Sequence, residues 1–260
     1  MENKEFDEVI GSSEAPYINR LAQSGALATA SYGVRHPSLP NYLALTGGST
    51  FGIKSNCVKC HVRASNLVDQ LEAKRTSWKA YMEGMPSPCY RGSSTGLYLE
   101  RHNPFLYYDS VVSNRRRCER VVPFSQIDRD IRRHSLPSFV WITPDACNDM
   151  HDCGVDRGDE WVSKIVPRLL PTLGPNGALF LTWDEGASDR GCCRVAHGGR
   201  IPTIVAGPAA RAGARSSIPI DHYSVLNTIE RALGARPMRL AGCSCTAPIS
   251  ALFDHRPSLR

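Results

Sequence analysis

No apolar run in this chain approaches the ~20 residues a membrane-spanning helix needs, so no segment reads as one. The opening Met1-Glu2-Asn3 has neither the basic stretch nor the apolar stretch of an export signal. No period repeats along the sequence, which excludes a solenoid or propeller. No linker divides it either, so residues 1–260 read as a single domain, long enough to bury a sizeable core. Cys57-Val58-Lys59-Cys60-His61 is followed by no second Cys-x-x-Cys and no His pair at finger spacing, which leaves half a zinc site at most. No nucleic-acid-binding motif accompanies the basic run Arg115-Arg116-Arg117, which reads as a solvated loop.

Cysteine, by contrast, is plentiful. Ten is many for a reducing compartment and the number is even, so several disulfides and an extracytoplasmic, secreted location are expected. An export signal is then expected upstream of this start. Cys57-Val58-Lys59-Cys60-His61 also matches the attachment pattern of c-type haem, a redox alternative. Disulfide cysteines beside a solvent-facing His61 are the plainer reading. A net charge of +6 suits anionic substrates.

Periodicity predicts strands over 27–34, 78–82, 138–143, 178–183 and 201–208, and helices over 15–22, 66–74, 159–170 and 223–233. That alternation argues an α/β fold, a central mostly parallel sheet flanked by helices. Groups able to do chemistry fall just after successive strands, where open α/β sheets place their ligands. His36-Pro37-Ser38-Leu39-Pro40-Asn41-Tyr42 reads as a turn feeding a short helix, with Ser38 at its N-terminus. Free amides and the helix dipole there favour an anion, and a serine hydroxyl so placed becomes a nucleophile when a base or metal helps. A plain Ser/Pro cap is the alternative. Asn41 offers an amide to a phosphate oxygen. Asp149 and His151 follow the strand at 138–143, inside a loop that Cys147 and Cys153 are placed to staple. Asp184 and Glu185 end the strand at 178–183 and form half of a divalent-metal site. Glu2 and Asn3 are further oxygen ligands, and His102 lies on an irregular stretch that can face a site.

Six stretches resemble, in order, the phosphoesterase family of bacterial acid phosphatases and phospholipases C within the alkaline phosphatase superfamily. They are Glu2-Asn3-Lys4-Glu5-Phe6-Asp7, the run from His36 to Leu45, Asn148-Asp149-Met150-His151-Asp152, Gly158-Asp159-Glu160-Trp161, Thr182-Trp183-Asp184-Glu185-Gly186 and His222-Tyr223-Ser224-Val225-Leu226. Ser38-Leu39-Pro40-Asn41 is also similar to the Thr-x-Pro-Asn of nucleotide pyrophosphatases. The resemblance implies Ser38 as nucleophile and Asn41 as phosphate binder. It implies Glu2, Asn3, Asp184 and Glu185 as ligands of a divalent metal ion beside Ser38, with His102, Asp149 and His151 near the phosphate or leaving group. The reaction it implies is phosphomonoester hydrolysis through a phosphoserine, with helix amides helping to hold the phosphoryl oxygens and His151 or His102 protonating the leaving oxygen. Phospholipid cleavage on the same scaffold and a non-catalytic phosphate-binding protein are the alternatives. In the family the Glu-Asn pair ends an apolar first strand; that strand is expected to be missing from this chain, either set upstream of Met1 or lacking altogether.

Overall fold

The computed structural model describes residues 1–254. Two sheets form. In the larger, β1 (Ala26–Tyr32) pairs antiparallel with β6 (Arg200–Ala206), and β5 (Leu179–Thr182) pairs antiparallel with the far side of β6. The short strands β7 (Arg215–Ser216) and β8 (Ile220–Asp221) run parallel along the other side of β1. The smaller sheet is wholly parallel, with β2 (Trp78–Met82) between β3 (Val121–Pro123) and β4 (Phe139–Thr143). The α/β class is as expected, but the pairing is mixed and divided. It is mixed because β6 runs opposite to both its neighbours, and divided because β4 and β5 share no hydrogen bonds.

Helices cover the sheets with the stripes their spacing predicts. Helix α1 (Pro16–Ser24) starts on a proline, which needs no N–H partner there, and buries Ile18, Leu21 and Ala22. It packs on α4 (Val155–Leu169), whose buried face is Val162, Ile165, Val166 and Leu169. Helix α4 begins four residues before the expected Asp159, directly after the Cys147–Cys153 disulfide and the extended Gly154. Asp159 therefore lies inside α4 and accepts the Tyr17 and Ile18 N–H groups at 3.1 and 2.7 Å, capping α1 from outside. Helix α3 (Leu67–Ala73) is capped by Asn66, which accepts the Val68 N–H. Helix α5 (His222–Ala232) is capped by Asp221, which accepts the Ser224 N–H at 3.1 Å.

Helix α2 (Ser38–Gly47) runs from the end of β1, and all ten of its residues are buried. It stops at Gly48, whose φ of 67° is left-handed and whose missing Cβ leaves room for the Met238 carbonyl. All ten cysteines are paired: 57–60, 89–118, 147–153, 192–193 and 243–245. Cys57 and Cys60 thus form the disulfide of the plainer reading, with His61 near Asp109. The basic run is partly anchored, since Arg117 pairs with Asp69 and Glu72. No helix among the described residues is long and apolar enough to cross a membrane.

Two stability effects follow. Asp159→Ala leaves two amides at the start of α1 unpaired and is expected to cost about 1–3 kcal/mol in urea unfolding. Glu230 of α5 is fully buried, and burial pushes its carboxyl up to about 7. A carboxyl raised on folding loses its contribution as pH rises through the folded value. Stability is therefore expected to fall from pH 5 to pH 8, and Glu230→Gln to flatten that fall in parallel melts.

Candidate active site

Ser38 is the first residue of α2, with Pro37 as its cap. Its buried Oγ lies 3.2 Å from Glu2 Oε2 and 3.3 Å from Glu185 Oε1, donating to one or the other. Asn41 fastens the preceding turn. Its Oδ1 accepts the Val34 and Arg35 N–H groups at 2.8 and 3.0 Å, and its Nδ2 donates to the Arg35 carbonyl at 2.6 Å and the Pro37 carbonyl at 3.4 Å. The structure thus engages the Asn41 amide in the turn that presents Ser38. The helix amides are scarcer than expected. Asn56 takes the Leu39 N–H at 3.0 Å, and Pro40, the third helical residue, has none.

Glu2 is threaded between two loops. Its N–H donates to the Asp149 carbonyl at 2.8 Å, while Met1 exchanges hydrogen bonds with the Thr182 carbonyl and the Asp184 N–H. That brings Glu2 together with Asp149, after β4, and Asp184 and Glu185, after β5, all four buried. Burial raises every one of these carboxyls, because a charge withdrawn from water is disfavoured. Glu2 is held well above its usual value, with Asp184 and Asp149 adding repulsion. Asp184 is raised too. Glu185 is pushed to about 8 by burial and then by Asp184, and Asp149 to about 7 by burial. Neither oxygen of Asp184 has a hydrogen-bond partner among the described residues.

The histidines complete the wall. His102 stacks on Tyr42 and directs Nδ1 at Asp149 Oδ2, 3.0 Å away, leaving Nε2 facing Glu2 Oε1 at 3.4 Å. Burial lowers His102 well below its usual value, so the ring is neutral. With Nδ1–H donated to Asp149, Nε2 is a bare lone pair, the orientation of a metal-ligating histidine. His151 holds Asp152 at 2.6 Å through Nδ1 and meets Arg101 at 3.1 Å through Nε2. Ligand atoms of Glu2, His102 and His151 lie within 4.8 Å of one another. The buried carboxyl groups, the orphaned Asp184 oxygens, the neutral His102 ring and the His151 nitrogens form a donor set that fits a divalent cation. The convergent trio shares only Glu2 with the expected ligand set. Asn3, half-buried with a left-handed φ of 54°, makes no side-chain hydrogen bond among the described residues.

Four neighbours were not singled out in the sequence. Tyr42 donates its hydroxyl to Glu2 Oε1. Four residues after Ser38 on one helix, it had to share that residue's face. His36 sits 2.7 Å from Glu185 Oε2; burial alone would lower it, but the Ser188 carbonyl and Glu185 hold it above its usual value. His222 bonds the Asp184 carbonyl, and burial lowers it to about 4. Arg101 precedes His102 and needs the fold to bring it to His151.

The phosphoesterase family profile matches residues 9–235. A phosphatidylinositol-3-phosphatase of Mycobacterium tuberculosis is 33% identical over 237 residues, covering 90% of this chain and 74% of that protein. A phosphate-repressible acid phosphatase of Penicillium chrysogenum is 28% identical over 88% of this chain, which spans only 56% of its length. A hemolytic phospholipase C of Pseudomonas aeruginosa is 24% identical over 96% of this chain and 43% of its own. Among solved structures, a protein in the alkaline phosphatase superfamily from Vibrio parahaemolyticus superposes with a TM-score of 0.60 at 14% identity, covering 96% of this chain and 69% of that one. The phosphonate monoester hydrolase of Agrobacterium radiobacter gives 0.57 at 13% identity, over 96% and 77%. These structural likenesses show the fold. The matched profile, covering most of the chain, shows that it belongs to the phosphoesterase family, enzymes acting on phosphoric ester bonds.

Proposed function

We propose that the chain hydrolyses phosphomonoesters through a phosphoserine formed on Ser38, with one divalent cation bound beside it. The observation that carries this reading is the position of Ser38 Oγ, at a helix N-terminus between Glu2 and Glu185 and near the unpartnered Asp184 carboxylate. Glu2, Asp184 and Glu185, with Asn3 and Ser38 itself, are the proposed ligands, and His102 Nε2 is a further donor facing Glu2. When bound, the cation supplies positive charge for a phosphoryl oxygen and makes the serine hydroxyl more acidic.

The side chains perform the proton chemistry. Glu185, 3.3 Å from Ser38 Oγ, takes the hydroxyl proton as the Oγ–P bond forms and the ester P–O bond breaks. His151, oriented by Asp152 at 2.6 Å from its Nδ1, gives a proton to the leaving oxygen. Water then cleaves the phosphoserine, releasing phosphate and returning a proton to Ser38. Asn41 orders the turn, and its longest contact, 3.4 Å to Pro37, is the one a phosphoryl oxygen replaces. The paired cysteines favour work outside the reducing cytoplasm. The relative named for phosphatidylinositol 3-phosphate makes a lipid-borne monoester the first physiological substrate to assay. The relative named phospholipase C makes a phosphodiester the counter-arm.

Ser38→Ala is expected to lower p-nitrophenyl phosphate hydrolysis by roughly 10³-fold or more, and EDTA to abolish it. Added divalent cation is expected to raise the melting temperature in wild type. Full activity in Ser38→Ala removes the serine from the reaction; indifference to EDTA removes the cation. His151→Asn is expected to slow alkyl phosphates by about 10²-fold while sparing p-nitrophenyl phosphate, whose leaving group needs no proton. Equal losses on both substrates sink the proton-donor role.

A further inference from the structure

Four arginines among the described residues are half-buried: Arg35, Arg101, Arg117 and Arg200. A guanidinium withdrawn from water ordinarily takes a carboxylate. Arg117 has Asp69 and Glu72, and Arg200 has Asp7. Arg35 and Arg101 pair with no carboxylate among the described residues, and each keeps a buried Nε without a hydrogen bond. A buried donor left open calls for a partner.

Direct contacts place Arg101 in the site. It belongs to the 3-10 turn Glu100–His102 and immediately precedes His102. Its Nη2 donates to His151 Nε2 at 3.1 Å. His151 groups with His102 and Glu2, their ligand atoms within 4.8 Å of one another, and Glu2 Oε2 lies 3.2 Å from Ser38 Oγ. Nε and Nη2 share one edge of the guanidinium and form a two-pronged fork. One prong rests on an imidazole nitrogen, and the other is empty. Two N–H groups so spaced match two oxygens of one phosphoryl group.

A phosphomonoester has need of that fork. It presents three terminal oxygens and close to two negative charges, where a diester presents two oxygens and one charge. The proposed cation takes one oxygen and Asn41 a second. The Leu39 N–H is already held by Asn56, and Pro40 has no N–H. The third oxygen, the one a diester lacks, is left without a holder. The anion also enters beside four buried carboxyls, against which a nearby positive charge is an advantage. We propose that Arg101 is a substrate-binding residue that sets the preference for monoesters: its guanidinium turns from His151 onto the terminal oxygens of a phosphomonoester dianion. The long side chain makes this turn while His102 stays stacked on Tyr42. The inference rests on the phosphatase reading and deepens it, by naming the residue that selects the class of ester.

The test uses the full chain with divalent cation present. p-Nitrophenyl phosphate and methyl p-nitrophenyl phosphate share a leaving group and differ by one methyl ester. Arg101→Gln is expected to lower kcat/KM for the monoester by about 10²-fold and for the diester by less than about threefold, and to weaken inhibition by inorganic phosphate by about tenfold or more. Arg101→Lys, which keeps the charge and loses the fork, is expected to fall between wild type and Arg101→Gln. Both variants are expected to keep the cation-induced rise in melting temperature. Equal losses on the two esters, or a lost response to cation, make Arg101 a support of the carboxyl cluster and overturn the inference. Unchanged phosphate inhibition overturns it as well. Should the variants fail to fold, the wild type decides: the Arg101 Nε–H resonance is expected to shift as inorganic phosphate is titrated to saturation, and a resonance that stays in place overturns the proposal. If the wild type cleaves neither ester, the phosphatase reading has failed, and the same titration reports separately on whether Arg101 binds phosphate.

Discussion

Negative charge gathered away from water is the constraint on which the rest depends. Four carboxyls, from Glu2, Asp149, Asp184 and Glu185, are withdrawn from solvent around one hydroxyl. Taken alone such a cluster opposes folding, since each charge loses its hydration and repels the others. The protein tolerates it by raising the carboxyls, by setting His36 against Glu185, and through neutral partners: the Tyr42 hydroxyl on Glu2, the His102 ring on Asp149, the Ser38 hydroxyl on Glu185. The hydroxyls and the His102 ring orient the carboxyls without adding positive charge. Asp184 lacks even that, which is why a cation is the natural complement of the site.

The arrangement is economical in the elements it uses. Four contributors stand at the end of a strand or the start of a helix: Ser38 after β1, Asp149 after β4, Asp184 after β5, His222 at the head of α5. The two sheets bring these ends together, and short side-chain links then set the details. The loop from Asp145 to Cys153 is closed by its own disulfide and further pinned where Glu83 accepts from Asp145 and Asn148. Distant segments therefore hold the site without any one of them having to be long.

Much of this was legible in the chain of letters. The Ser38 turn, the Asp184-Glu185 strand end and the Asn148–Asp152 loop announce themselves because strong apolar strands run straight into polar groups, and local spacing is enough to see that. Strand direction is not local. Nothing in Ile201-Pro202-Thr203-Ile204 says that β6 runs against both its neighbours, so the mixed pairing had to come from the fold. Helix α4 begins earlier than its stripe suggests because a loop staple and Gly154, not periodicity, fix its start. The Asn41 amide was expected to be free for a ligand, yet a turn containing Pro37 leaves carbonyls that need a donor, and the nearest side chain supplies it. The partnership of Arg101 with His151 spans fifty residues and leaves no trace in spacing.

Helix α2 has no exposed face. A nucleophile carried on so enclosed an element has little freedom to adapt, since a change of one methylene anywhere along it is felt by close-packed neighbours. The stretches that carry Arg101, His102 and His151 are of another kind: a single 3-10 turn, Glu100–His102, and a disulfide-closed loop, each with part of its length at the surface. Connections of that sort lengthen and change sequence at small entropic cost. The protein is thus divided into an enclosed helix that heredity must leave alone and connections that it can revise around the fixed His102 and His151, and changes of substrate among its kin are to be sought in those connections.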